Sequence, residues 1–127
     1  MTQSDVMLVR HGQTEWSKAG FHTGRTDIPL TDLGRRQAAS LGAMLGDTRY
    51  ALVLSSPLSR AWETMERAGR GGAAARDDLM EWDYGVYEGR RTADIRAEIP
   101  DWSGVDPSDR GRRVGGRCGC AGGPHRR

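Results

Sequence analysis

Four short stretches of this chain bring together side chains able to handle a phosphate group. Arg10-His11-Gly12 sets two basic side chains beside a residue that lets backbone approach a ligand closely. Ser55-Ser56-Pro57-Leu58-Ser59-Arg60-Ala61 reads as a helix start with Arg60 in its first turn. A helix N-terminus offers free N–H groups to an anion, and an arginine fork matches two phosphate oxygens at once. Thr23-Gly24, followed by Asp27-Ile28-Pro29-Leu30-Thr31 and Gly34, makes a loop able to wrap a substrate. Glu81-Trp82-Asp83-Tyr84-Gly85 sets a carboxylate between bulky apolar groups. Partial burial there favours the protonated form, which suits a general acid. Singly, each stretch has an ordinary explanation: a His in a turn, a Ser-Pro cap, a plain turn, a surface carboxylate. Their co-occurrence lowers the weight of those explanations.

The elements that must position these residues follow from apolar periodicity. Val6-Met7-Leu8-Val9 suits a strand buried on both faces, as in a parallel sheet. It ends at Arg10-His11, and in open α/β sheets ligands bind beyond the carboxyl ends of strands. The polar stretch through Gly20, Gly24 and Pro29 reads as a long loop, whose length hints at function. Thr31 or Asp32 caps a helix with Leu33, Leu41, Met44 and Leu45 on its apolar face and Gly46 near its stop. Tyr50 to Leu54 predicts a second strand. Ser56 then caps, Pro57 takes the first helical position, and Leu58, Ala61, Trp62, Met65 and Ala68 form the next stripe. Residues 70–75 give no clear element. Residues 78–89 predict a buried aromatic-acidic loop or short strand. Thr92 caps a short helix through Ile99, stopped by Pro100. Strand, helix, strand, helix is the α/β order, a mostly parallel sheet flanked by helices.

Composition divides the 127 residues unevenly. Up to Ser103 there are 13 Lys and Arg against 15 Asp and Glu; beyond it, six Arg against two Asp. The basic isoelectric point of 8.8 therefore belongs to the last residues and does not argue for a nucleic-acid partner. Residues 104–127 hold seven Gly and no aromatic, Leu, Ile or Met. Such a segment buries too little apolar surface to offset its ordering entropy, so a folded part over 1–103 and a disordered Arg/Gly-rich tail over 104–127 are expected. The tail's Arg/Gly/Cys/Pro mixture also resembles translation in a shifted frame. No signal peptide or membrane span is expected, and both cysteines, Cys118 and Cys120, sit in the tail; a cytoplasmic location is the default reading. Cys-Gly-Cys lacks zinc-site spacing, and no acidic cluster suits Mg²⁺, so no metal or other cofactor is expected.

From Val6 to Trp102 the chain resembles the histidine phosphatase superfamily, also called phosphoglycerate mutase-like. Arg10-His11-Gly12-Gln13-Thr14-Glu15 and Ser55-Ser56-Pro57-Leu58-Ser59-Arg60-Ala61 carry the resemblance. His22-Thr23-Gly24, Glu81-Trp82-Asp83-Tyr84-Gly85, Tyr87-Glu88-Gly89 and Pro100-Asp101-Trp102 look most like its actinobacterial acid-phosphatase branch. The resemblance implies that His11 is the nucleophile and that Arg10 and Arg60 grip the phosphate oxygens. It implies that Glu81 protonates the leaving alkoxide, and that Gln13, Thr14, Thr23, Gly24 and Tyr84 line the substrate side. The implied activity is metal-independent hydrolysis of a small phosphate ester through a phosphohistidine.

One departure from the family pattern concerns its second catalytic histidine, which follows a later strand. Nothing after Trp102 matches it. His125 follows no apolar run, and His22 belongs to the substrate loop. The C-terminal part of the family's domain is therefore expected to be missing or frameshifted, which puts activity in doubt. Phosphoglycerate mutase-type transfer and a non-catalytic remnant are the alternatives. A nucleic-acid module resting on the Arg tail is disfavoured, because the tail has no aromatic side chain to stack bases. The oligomeric state is not legible.

Overall fold

A computed structural model describes residues 5–104. The expected tail, apart from Gly104, and His125 lie outside the described residues. The long polar stretch after His11 is not all loop. Thr14 starts a short helix, α1 (Glu15–Ala19), through a reciprocal cap with Ser17: each side chain accepts from the other's backbone N–H. Gly20, at φ 76°, ends it in the left-handed conformation. Thr31 caps α2 (Asp32–Leu45), its hydroxyl accepting from the Gly34 N–H at 3.1 Å.

Next come β1 (Leu54–Ser55), α3 (Ser59–Arg67) and β2 (Ala74–Ala75), a parallel β-α-β unit with Leu54 opposite Ala74 and Ser55 opposite Ala75. The strand expected over 50–54 is thus shorter and later. Its ladder closes only where residues 74–76 run alongside, from Ala74 N–H to Val53 and from Arg76 N–H to Ser55. Two single-turn 3-10 segments, Asp77–Leu79 and Gly85–Tyr87, lead to α4 (Thr92–Glu98). The class is α/β, as expected.

The expected strand at residues 6–9 is not formed among the described residues. The segment has no regular structure and no ladder partner among the described residues, with Val6 82% and Leu8 88% exposed. A parallel strand needs neighbours for its N–H and C=O groups and helices over its faces, and no described element supplies them.

The packing faces also differ from the expected apolar stripes. On α2, Leu33 and Met44 face solvent, whereas Gly34 and Ala38 are buried. On α3 the buried line is Arg60, Thr64 and Ala68. The two helices pack on each other. Small side chains on α2 let it approach α3 and the His11 segment at backbone distance. A Cβ on Gly12 would collide with the Gly34 carbonyl, and one on Gly34 with that of Gln13. A separate apolar cluster of Tyr87, Ile95 and Trp102, with Tyr84 and Ile99 against it, anchors α4 to the loop before it. Burying Ile95 alone contributes roughly 2–3 kcal/mol.

Candidate active site

The backbone around His11 is held by α3. The Gly12 N–H donates to Thr64 Oγ1 at 3.1 Å, and the Thr64 hydroxyl donates to the Arg60 carbonyl at 2.7 Å. Thr64 was not singled out from the sequence. Its signal was the spacing of four from Arg60, which stacks the two on one helix face. His11 is half-buried, and its Nδ1 lies 2.7 Å from the Gly12 carbonyl oxygen. A carbonyl only accepts, so Nδ1 carries the proton and Nε2 holds the lone pair. Burial lowers the His11 pKa most; Arg60 and Arg10 lower it further, against the Gly12 hydrogen bond and the charge of Glu81. This direction favours the neutral imidazole, the form a nucleophile needs.

Arg60 is buried under the loop of residues 24–26. Its Nη1 donates to the Thr26 carbonyl at 2.9 Å and its Nη2 to the Gly24 carbonyl at 2.8 Å. Burial lowers its pKa, opposed by the charges of Asp27, Glu81 and Glu88. A guanidinium stays charged regardless, and its five donors exceed these two bonds. The α3 N-terminus departs from expectation. The helix begins at Ser59 rather than Pro57, and Ser56 Oγ accepts from the Leu58 N–H at 3.3 Å. Asp27 Oδ1 already accepts from the Ser59 N–H at 2.8 Å and the Ser59 hydroxyl at 2.7 Å. This helix end is thus met by a carboxylate of the loop.

Glu81 is exposed, not partly buried, because its neighbour Trp82 also faces outward and gives it no apolar cover. Its charge nevertheless acts on His11, Arg60 and Tyr84, so the four expected catalytic groups, Arg10 included, share one electrostatic neighbourhood. Tyr84 is half-buried beside His22, ring centroids 5.1 Å apart; burial and Glu81 raise its pKa. Thr23 is half-buried, its hydroxyl donating to the Phe21 carbonyl at 3.3 Å. Gln13 is tied to α2: its Oε1 accepts from the Thr31 hydroxyl and its N–H donates to Gln37.

Two of the expected substrate contacts, Thr14 and Gly24, are buried in this structure. Thr14 is 0% exposed because its hydroxyl is turned inward as the α1 cap. Gly24 is buried because Trp82, Tyr84 and Glu88 close over it, and it holds Arg60 by its carbonyl instead. His22 Nε2 bonds Thr92 Oγ1 at 2.8 Å, and its ring packs on Trp102.

Among the described residues, no group of three or more His, Cys, Asp or Glu is placed to hold a metal ion. No described helix is long and apolar enough to cross a membrane.

A half-buried histidine with Arg10 beside it and the charge of Arg60 acting on it, in an α/β fold, is an arrangement able to meet a phosphate group. Residues 6–118 match the histidine phosphatase superfamily (branch 1), and the chain belongs to it. An acid phosphatase of Mycobacterium tuberculosis is 44% identical over 99 residues, 76% of this chain and 49% of that protein. A sedoheptulose 1,7-bisphosphatase of Saccharomyces cerevisiae is 37% identical over 116 residues, 79% of this chain and 42% of that protein. The solved structure of an M. tuberculosis open reading frame product superposes with a TM-score of 0.69 at 44% identity, over 73% of this chain and 49% of that one. The fold is phosphoglycerate mutase-like. The chain spans about half the length of the relatives it matches.

Proposed function

We propose that this chain carries the nucleophilic part of a phosphomonoesterase site for small phosphate esters. The observation that carries the reading is the Nδ1 bond of His11 to Gly12, which leaves Nε2 bearing the lone pair within the fields of Arg10 and Arg60. Nε2 attacks phosphorus as the ester P–O bond breaks. Glu81 gives its proton to the departing alkoxide, leaving an alcohol and a phosphohistidine. Water then attacks phosphorus, Glu81 takes a water proton, and the P–N bond breaks to restore the imidazole and release inorganic phosphate. Arg10 and Arg60 neutralise charge on the equatorial oxygens. Thr23 and Tyr84 face the ester group, with Gln13 behind the His11 segment. Both of the relatives above are named as phosphatases, which supports hydrolysis over mutase-type transfer.

The test is turnover of p-nitrophenyl phosphate with mass spectrometry of base-stabilised samples. An acid-labile phosphate on His11 is expected, with both signals gone in His11→Ala. Retained turnover in that variant would remove the covalent mechanism.

A further inference from the structure

The loop that grips Arg60 is itself gripped by a carboxylate with no part in the chemistry above. Glu88 lies 62 residues on from Thr26, in the short connection between the Gly85–Tyr87 turn and α4. Its Oε1 accepts from the Arg25 N–H at 2.6 Å. Its Oε2 accepts from the Thr26 N–H at 2.9 Å and from the Thr26 hydroxyl. Three donors of one short segment thus converge on two oxygens. Gly24 is pressed against the same carboxylate, so closely that a Cβ there would collide with Glu88 Oε1 and the Trp82 carbonyl. The carbonyls on either side of Arg25, those of Gly24 and Thr26, are the two that receive the Arg60 fork.

We propose that Glu88 is a positioning residue for Arg60, acting through the backbone of residues 24–26 to set the direction of the guanidinium. The inference rests on the reading that Arg60 grips the phosphoryl group. An ionised carboxylate is all acceptor, and every group aimed at Glu88 by this segment is a donor. With the segment fixed, the Gly24 and Thr26 carbonyls stand a set distance apart, and the fork that spans them points one way. The N–H groups not used on the loop are then aimed before any ligand arrives, which is what a transition-state contact requires. Asp27 ties the loop to Ser59 independently, so losing Glu88 frees the grip on Arg60 without detaching the loop.

Glu88→Gln keeps size but puts an NH₂ where an acceptor is needed, against either the Arg25 N–H or the Thr26 donors. The experiment compares the full chain with Glu88→Gln, Arg60→Ala and the double variant. It uses orthovanadate as the probe, with affinity by calorimetry and solvent exchange of the Arg60 Nε–H by NMR. In Glu88→Gln, vanadate affinity falls about tenfold, and Arg60 Nε–H exchange accelerates by a similar factor. The double variant binds no more weakly than Arg60→Ala alone, because the two act as one unit. Unchanged Arg60 exchange, or losses that add in the double variant, overturns the proposal. If vanadate binds none of the proteins, the phosphoryl reading fails by itself, and Arg60 exchange still decides the role of Glu88. Should Glu88→Gln not fold, Thr26→Ala removes one of the three donors and is expected to speed Arg60 exchange severalfold; no change there also overturns the proposal.

Discussion

At the residue scale, one hydrogen bond decides which nitrogen of His11 can react. His11 and His22 both have pKa values lowered, chiefly by burial. They differ in what their rings touch: Nε2 of His22 is bonded to Thr92, whereas the bond of His11 is made by Nδ1. A lowered histidine pKa has a definite sign in solution. The folded state holds fewer protons than the unfolded one below the ordinary value of 6.5. The stabilisation is therefore present above 6.5 and is lost as pH falls through the lower folded value. Activity follows the same direction, since protonation removes the nucleophile. The acid limb of kcat/KM for p-nitrophenyl phosphate is expected to have its midpoint below 6.5, because that ratio reports the free enzyme. A midpoint at or above 6.5 would show that His11 is not the titrating nucleophile, or that its burial is not the dominant influence.

At the element scale, α3 both carries Arg60 and holds the His11 segment, through one buried threonine. Thr64→Val keeps the shape and deletes both hydroxyl bonds, leaving the Gly12 N–H buried without its partner. A loss of about 1–3 kcal/mol in unfolding free energy is expected, with turnover lowered as His11 loses its seat. Denaturant titration of the variant checks the first, and a loss below 0.5 kcal/mol, the scale of a plain surface change, would mean that Thr64 only fills space. The same helix shows what periodicity can and cannot reveal. The positions of α2, α3 and α4 were legible to within a few residues from Thr31, Pro57 and Pro100. Their buried faces were not. Apolar periodicity weights Leu33, Met44 and Trp62, while backbone comes close at small residues, Gly34 against Gln13 and Gly42 against Ala68 at the end of α3. Nor does α1 carry an apolar stripe; its signal is the cap between Thr14 and Ser17. His11, Arg10, Arg60 and Glu81 were singled out because charged types in short motifs are recognisable without a fold. The hydrogen bonds of Glu88 and Asp27 were not legible because their partners are backbone N–H groups and hydroxyls far off in sequence.

At the scale of the whole molecule, the site is better organised than the sheet that should carry it. Arg60, Thr64, Gly12 and the loop form a closed set of hydrogen bonds. The segment leading into His11 is another matter. Val6, Met7, Leu8 and Val9 are all exposed, as are Leu52 and Leu54 on and before β1. Apolar side chains in unpaired backbone leave both the hydrophobic surface and the ladder groups unsatisfied. The described sheet has only two strands, and two-stranded pairings are marginal in water. Stability of a complete domain is only about 5–15 kcal/mol, so uncovered strands of this kind remove a large share of it. The 127-residue chain alone is therefore expected to bind a hydrophobic dye such as ANS at neutral pH and to unfold over a broad thermal range. Slow turnover should accompany this, because the Gly12 bond to Thr64 steadies His11 from one side while the segment before it stays unpaired. Calorimetry, dye fluorescence and p-nitrophenyl phosphate hydrolysis on the same sample test this together. A sharp unfolding transition without dye binding would mean that Val6 to Val9 are covered in solution, by a second copy or by residues outside 5–104. Concentration dependence of the melting temperature would distinguish the two, since only a second copy makes it rise with protein concentration.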